Sequence, residues 1–267
     1  AFTSPPNRLA FRDPSVMEVA DGRIAVAELL LGHVVDGLLL TGHFAIDGVD
    51  LERLTDELGL AAMRGRLNAD LGRIRYQGGL LSTEGEARID AFGGRIRIGR
   101  IGLDISNLNY PQLTADLDFR AIDLYQLTQT FSFGAMNGIV DGYVHGLRLF
   151  GATPAKFSAL LESRLEGKRN ISVKALNNLS ILSQGGLSAA LSRGIYRFID
   201  FYRYRKIGIA CELDRDVFYL RGTARPDSTR YLVYGGALPP KIDIMAPPSA
   251  ISFSEMLKRL QRIERAD

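Results

Sequence analysis

A stretch of 39 residues occurs twice in this chain, and no other feature restricts the fold as strongly. Residues 40–78 align without a gap on residues 113–151, at a constant offset of 73, and 11 of the 39 positions are identical. Segments of ordinary composition would agree by chance at about two or three positions. The identical residues include paired Leu-Thr, Asp-Leu and Ala-Met-x-Gly blocks. A repeat of this length predicts a structure that grows by adding like units side by side.

Within residues 22–166, apolar and polar side chains alternate with a period of two. In residues 113–121 the odd positions are apolar, whereas the even positions are Thr114, Asp116, Asp118 and Arg120. Alternation of this kind is typical of antiparallel sheets with one face exposed to water. Gly93-Gly94 separates two such segments and predicts a two-residue hairpin turn.

Helices are expected at a few places only. Each repeat reads as strand, short helix and strand, with Asp50 and Asp123 in positions that suit a helix N-cap. Residues 187–204 carry an apolar stripe at helical spacing, and Ser252 with Glu255 forms a capping box before a last amphipathic helix. We expect this last helix to dock its apolar stripe on the sheet or on a partner.

These patterns predict a mainly β fold, a long, twisted, groove-like antiparallel sheet built from internal repeats with a few amphipathic helices. Residues 1–166 form the repeat-built sheet region. Residues 167–267 form a C-terminal region with the long helix, short strands and the terminal helix, continuing the same sheet.

Composition excludes several classes of function. The 267 residues are 46% hydrophobic and carry a formal net charge of +3 at pH 7. Lys and Arg are scattered rather than concentrated in one stripe, so no nucleic-acid partner is predicted. One cysteine, Cys211, and three histidines without ligand spacing predict no disulfide framework and no metal site. No nucleophile motif or phosphate loop is present, so we predict no catalytic residue, no cofactor and no enzymatic activity.

The chain resembles the AsmA-like superfamily of bacterial envelope proteins. The resemblance depends on the paired repeat blocks, on residues 204–222 and on the closing segment 251–260, which are patterns of hydrophobic residues and glycine. It implies a curved β-sheet in the periplasm, anchored to the inner membrane by an N-terminal helix, that carries phospholipid acyl chains toward the outer membrane. It also implies that this chain is the C-terminal portion of a longer protein.

Under this resemblance, the expected ligand is a phospholipid whose acyl chains lie on the apolar face of the repeat strands. The predicted contacts are Leu38, Leu40, Phe44, Ile46, Leu113, Leu117, Phe119, Met136, Val140 and Val144. The alternative is a non-enzymatic scaffold in which the same residues form a closed core and the protein binds inner- or outer-membrane proteins of the envelope. Apolar strand faces serve both functions, so the sequence leaves the two open.

Overall fold

The computed structural model describes most of the chain, namely residues 8–11, 13–34, 37–57, 61–151, 153–182, 200–228, 230–235, 242–246, 250–255 and 257–258. Strands account for 64% of the residues and helices for 13%. The predicted mainly β class, with a large antiparallel sheet, is therefore confirmed.

The described residues form nineteen strands, three helices and the beginning of a terminal helix. The strands are β1 (Arg8–Phe11), β2 (Ser15–Val19), β3 (Gly22–Val34), β4 (Gly37–Asp50), β5 (Gly65–Gln77), β6 (Leu80–Thr83), β7 (Glu86–Ala91), β8 (Gly94–Asp104), β9 (Gln112–Asp123), β10 (Met136–Asn137), β11 (Ile139–Phe150), β12 (Thr153–Ser163), β13 (Asn170–Ser172), β14 (Phe201–Arg203), β15 (Lys206–Asp214), β16 (Val217–Gly222), β17 (Tyr231–Tyr234), β18 (Ile244–Met245) and β19 (Ala250–Ser252). The helices are α1 (Leu51–Glu57), α2 (Leu124–Thr130) and α3 (Val173–Leu182).

Contacts divide the chain into two compact units. Unit 1 comprises Ala1–Ala91, Arg95–Asp118 and His145–Ala155. Its strands follow the order β1-β3-β4-β5-β6-β8, with β2 beside β3 and β7 between β5 and β8. Every register recorded among these strands is antiparallel.

Unit 2 comprises Phe92–Gly94, Phe119–Val144 and Lys156–Asp267. It contains the strand sequence β12-β15-β16-β19 and a separate three-stranded sheet of β10, β13 and β14. Its closed core includes the largest fully buried side chains of the described residues, which are Tyr202, Ile171, Leu176, Ile207, Leu213, Leu232, Ile244, Val140 and Val233.

The predicted helix over residues 187–204 is wrong at its C-terminal end. Phe201–Arg203 form strand β14, in which Tyr202 pairs with Ile171 and is completely buried. Phe201 and Arg203 are exposed on either side of it, so the period is two rather than 3.6. Residues 187–199 of the predicted helix lie outside the described residues.

The hairpin turn predicted at Gly93-Gly94 lies one residue earlier, at Phe92-Gly93. Both residues have positive φ, 52° and 68°, as a type I′ turn requires. Gly94 opens strand β8 instead. A Cβ there would lie 2.5 Å from the Arg120 carbonyl oxygen, so this glycine permits a close backbone approach.

The terminal helix begins where the sequence predicts. Residues 253–255 are helical, and Phe253 packs against Leu213 and Phe218, with the Phe218 and Phe253 ring centroids 5.9 Å apart. The Asp216 carboxylate accepts a 2.9 Å hydrogen bond from the Ser254 N–H and a 2.6 Å bond from the Ser252 hydroxyl. The start of the helix is thus fixed to the turn between β15 and β16, with Phe253 packed on those strands. Residues 259–267 of the predicted helix lie outside the described residues.

Candidate functional site

One apolar row crosses six strands of unit 1. Residues paired directly across antiparallel strands point to the same face of a sheet. Following the pairing from β1 to β8 gives an unbroken row, called here the long row, of Leu9, Leu31, Leu40, Tyr76, Leu81 and Leu103. Neighbouring strands lie about 4.8 Å apart, so the long row spans about 24 Å.

A second row runs parallel to it on the same face. This short row crosses β2, β3, β4, β5 and β7 and consists of Met17, Ile24, Ile46, Ala69 and Ala87. Phe44 lies between the two rows on β4 and pairs with Val26. The two rows and the residues between them are called here the apolar face of unit 1.

Two bulges keep the rows on one face. Ile24 and Leu31 of β3 are seven residues apart, an odd number that would place them on opposite faces of a regular strand. Glu28, with φ of 53°, lies in a bulge of β3, and the extra residue there returns Ile24 and Leu31 to the same face. Gly72, with φ of 59°, lies at the corresponding irregularity between Ala69 and Tyr76 of β5.

The apolar face of unit 1 is only partly covered. Leu31, Leu40, Tyr76, Leu81 and Leu103 are half-buried. At the β1–β2 edge, Leu9 is 46% exposed and Met17 is 58% exposed. The fully buried core described above lies in unit 2. On the same face, Ile74, Ala69 and Ala87 are 5%, 7% and 7% exposed, so the accessible part of the apolar face is the long row and the β1–β2 edge, whereas unit 2 has a closed core.

The opposite face of the unit 1 sheet carries ion pairs and polar groups, together with the exposed side chains of Leu30 and Leu80. Arg23 pairs with Asp47 across β3 and β4, with a 2.8 Å distance between Nη2 and Oδ2. His43 Nε2 lies 3.1 Å from Asp70 Oδ1 between β4 and β5. Exposed pairs of this kind contribute about 0.2–1 kcal/mol each, so their main consequence is a face that stays in water.

The ten predicted lipid contacts are divided between the units. Unit 1 contains Leu38, Leu40, Phe44, Ile46, Leu113 and Leu117, and unit 2 contains Phe119, Met136, Val140 and Val144. In unit 1, Leu38 is 47% exposed and the other five are half-buried. Leu40 belongs to the long row and Ile46 to the short row.

Leu113 extends the apolar face to β9. A Cβ on Gly102 would lie 2.7 Å from the Thr114 hydroxyl oxygen, so Gly102 and Thr114 share a face. Because side chains alternate along a strand, Leu103 and Leu113 share the other face. This places Leu113 beside the end of the long row.

Two of the unit 2 residues occupy a different environment. Met136 is 4% exposed and Val140 is 0% exposed. Met136 pairs with Ile171, which is itself completely buried. This burial leaves an acyl chain no access to either side chain, so the two belong to the closed core. Phe119 and Val144 are half-buried.

Sequence reasoning missed five members of the long row. Only Leu40 is among the predicted contacts, while Leu9, Leu31, Tyr76, Leu81 and Leu103 are not. Each lies in an alternating segment, but their grouping depends on strand pairing and on the bulges in β3 and β5. A bulge at a non-glycine residue such as Glu28 has no sequence signal comparable to a glycine pair.

The two repeat blocks also share hydrogen bonds that position their helices. The Thr55 hydroxyl donates to the Leu51 carbonyl at 2.7 Å and accepts from the Met63 N–H at 3.2 Å. Seventy-three residues later, the Thr128 hydroxyl donates to Leu124 at 2.7 Å and accepts from Met136 at 3.3 Å. In the sequence, this contact is indicated by the identical pairs Leu54-Thr55 and Leu127-Thr128.

A second recurring contact is a hydrogen bond from a backbone N–H near the end of the strand that precedes each helix. The Gly48 N–H donates to Asn68 Oδ1 at 2.9 Å, and the Ala121 N–H donates to Asp141 Oδ1 at the same distance. Both donors have positive φ, 67° and 56°. In the second block, Arg164 adds a bidentate pair to Asp141 with distances of 2.8 and 2.9 Å. The Arg164 guanidinium holds the pKa of Asp141 below its usual value.

The single cysteine lies in an unreactive environment. Burial, with a smaller contribution from Glu212, raises the pKa of the Cys211 thiol to about 11. Its side chain packs beside Leu213 and Phe218. A thiol with this pKa is protonated at neutral pH, which is the state of a structural cysteine.

Comparisons with known proteins give no relative for this chain. No family model, no curated protein and no solved structure matches it. Among the described residues, no helix combines the length and hydrophobicity needed to cross a membrane. In that same part of the chain, no group of three or more Asp, Glu, His or Cys side chains could hold a metal ion.

Proposed function

We propose that this protein is a periplasmic module of the AsmA-like type that conducts phospholipid acyl chains along an apolar, groove-like β-sheet between the inner and outer membranes. The observation that carries the proposal is the long row, six side chains continuous across six strands and only partly covered. An N-terminal membrane anchor and membrane-protein partners belong to the same proposal.

The size of the apolar face fits an acyl chain. One leaflet of a bilayer gives its chains about 15 Å of hydrocarbon depth, which is less than the 24 Å or so along the long row. Burial of each CH₂ group stabilises the bound chain by about 0.8 kcal/mol. Such binding needs no polar recognition, and the ion-paired polar groups of unit 1 lie on the other face.

We further propose that the sheet arises by repetition of one unit. The matched threonine bonds at α1 and α2, and the matched bonds of Gly48 and Ala121, support this. A sheet that repeats its pairing also repeats its apolar positions, so a lipid moving along it meets similar surroundings at each step.

Native mass spectrometry of the purified protein tests lipid binding. Wild-type protein is expected to retain phospholipid, and Leu40→Glu is expected to lose it because the charge lies in the middle of the long row. Thr41→Glu is the matched control, since residue 41 points to the polar face and should keep the lipid. Both variants should stay folded, because Leu40 is half-buried. Equal lipid retention by a folded Leu40→Glu variant would contradict the proposal.

The scaffold alternative has one observation in its favour, which is the closed core of unit 2. The buried Val140 and Met136 support it, because these two residues of the second repeat block serve packing alone. If wild-type protein carries no lipid and Leu40→Glu loses binding to an envelope protein instead, the apolar face of unit 1 is a protein interface and the scaffold is favoured.

A further inference from the structure

Three of the connections between strands of unit 1 lie together at one end of its sheet. They are the turn Gly78-Gly79 after β5, the loop 105–111 after β8 and the turn at Gly151 after β11. The Ile105 N–H donates to the Gly79 carbonyl at 2.8 Å. The Gly151 N–H donates to the Pro111 carbonyl, also at 2.8 Å. The three connections therefore form one continuous surface.

The sequence around these connections is uncharged. No Asp, Glu, Lys or Arg occurs in residues 76–83, 105–115 and 149–155. At the opposite end of unit 1, residues 50–57 around α1 include five charged residues, and Asp21 forms an ion pair with Arg53 at 2.8 Å. The connection between β3 and β4, which contains Asp36, lies outside the described residues. The three described connections are called here the uncharged end of unit 1.

Large apolar side chains project into water from the uncharged end. Leu108 and Tyr110 of the loop 105–111 are 79% and 70% exposed, the two highest values among the large apolar side chains of the described residues. Leu80 and Phe150, beside the other two connections, are exposed as well. Contiguous exposed apolar side chains of this kind mark interaction surfaces.

Hydrogen bonds within the loop 105–111 fix its shape. The Asp104 carboxylate accepts a 2.9 Å bond from the Ser106 N–H. The Tyr110 N–H donates to the Asn107 carbonyl at 3.0 Å. The loop therefore presents its apolar side chains outward without first having to be ordered by a ligand, which lowers the entropic cost of binding.

Two arginines lie behind the uncharged end, at equivalent positions of the repeat. Arg75 comes three residues before Gly78, and Arg148 comes three residues before Gly151. Both side chains are exposed, and the Arg75 guanidinium bonds to the neutral side chain of Gln77. At about 3.3 Å per residue, the two arginines lie about 10 Å behind the turns.

We infer that the uncharged end of unit 1 docks on the surface of a lipid bilayer. Leu108 and Tyr110 insert among the headgroups, and Arg75 and Arg148 contact the phosphates. This inference goes beyond the proposed function, because docking on a bilayer does not require that acyl chains lie on the long row.

The order of side chains along the strands favours a bilayer as the partner. Tyrosine is enriched at membrane–water interfaces, and apolar side chains of interfacial segments are buried about 5–10 Å deep. Insertion to this depth brings cations that lie about 10 Å behind the turns to the level of the headgroups, where anionic lipids attract them. A bilayer surface is also fluid, so it accommodates side chains that project from three separate connections.

Flotation of the full chain with liposomes tests the docking. We expect the wild-type protein to float with vesicles made of equal parts of phosphatidylcholine and phosphatidylglycerol. The double variant Leu108→Ser with Tyr110→Ser should bind about tenfold more weakly, because it removes the inserted side chains and keeps the net charge. The matched control, Leu165→Ser with Tyr219→Ser, removes an exposed leucine and an exposed tyrosine of unit 2 and should bind like wild type.

Two further variants separate the contributions to binding. Arg75→Gln with Arg148→Gln should weaken binding to the vesicles with phosphatidylglycerol and leave binding to pure phosphatidylcholine vesicles unchanged, since the attraction depends on anionic lipid. Leu40→Glu should bind vesicles like wild type, because it changes the long row and not the uncharged end. Circular dichroism checks that every variant is folded.

Several results would overturn the inference. They are a folded wild-type protein that does not float, a Leu108 and Tyr110 variant that binds as well as wild type, and an equal loss in the unit 2 control. Loss in Leu40→Glu alone would assign vesicle binding to the apolar face of unit 1. Self-association that the Leu108 and Tyr110 variant abolishes, in a protein that does not float, would make the uncharged end a protein interface. Phospholipid retained in native mass spectrometry by a protein that does not float would leave the proposed function standing and overturn this inference alone.

Discussion

At the scale of single residues, two buried threonines connect each short helix to the segment that follows it. Thr55 and Thr128 are 2% and 6% exposed, and each hydroxyl bonds to the helix on one side and to a methionine N–H on the other. Threonine is a weak helix former, so its presence here is explained by these bonds rather than by propensity. The repeated Leu-Thr pairs in the sequence indicated that these two threonines occupy equivalent positions. They did not indicate that each hydroxyl accepts a hydrogen bond from a methionine N–H.

Replacing Thr128 with valine tests this contact. Valine keeps the shape but leaves the Met136 N–H without its acceptor in a buried site, so we expect a loss of about 1–2 kcal/mol in the free energy of unfolding. Thr153→Val is the control, because Thr153 is exposed and should change stability by less than about 0.5 kcal/mol. Urea denaturation measures both. Equal stability of Thr128→Val and wild type would show that the hydroxyl does not hold the strand.

At the scale of elements, alternation predicted the strands, but pairing decided which residues meet. Leu38, Leu40, Phe44 and Ile46 share one face of the sheet because β4 is regular there, as its register with β3 and β5 shows. The partners on β3 and β5 could not be assigned, since the irregularities at Glu28 and Gly72 reverse the alternation within each strand. The end of the 187–204 helix was wrong because Tyr202, the last residue of an apolar stripe at helical spacing, is equally the buried position in the alternation of β14.

The contact between Asp141 and Arg164 joins the end of β9, the strand β11 and the residue after β12. The pKa of Asp141 is lowered in the folded protein, so its stabilising effect is present above the ordinary aspartate pKa of about 3.9 and is lost as pH falls through the lower folded value. Asp141→Asn keeps an acceptor for Ala121, as Asn68 does for Gly48, but loses the ion pair.

We therefore expect Asp141→Asn to unfold at lower urea concentration than wild type at pH 6. This difference should shrink as pH is lowered from about 4 toward 2. Arg164→Gln removes the other partner and should weaken the same pH dependence. A difference between wild type and Asp141→Asn that stays constant from pH 6 to pH 2 would mean that this carboxylate does not contribute through its charge.

At the scale of the whole molecule, apolar strand faces of the same kind are buried in unit 2 and partly exposed in unit 1. In unit 2, Val140 is completely buried, whereas in unit 1 Leu40 is half-buried on a face that continues across six strands. Composition and periodicity are alike in both places, so the sequence alone could not separate a closed core from an accessible face. The separation follows from which elements cover each face, which is a property of the folded chain.

The central claim is that acyl chains lie on the apolar face of unit 1, and site-specific photocrosslinking in the bacterial envelope tests it most directly. A photoreactive amino acid is placed at position 40 in the long row and, as the matched control, at position 41 on the opposite face of the same strand. The account predicts phospholipid adducts from position 40 and none above background from position 41. A folded protein that gives no lipid adduct at position 40, or equal adducts at both positions, would contradict it.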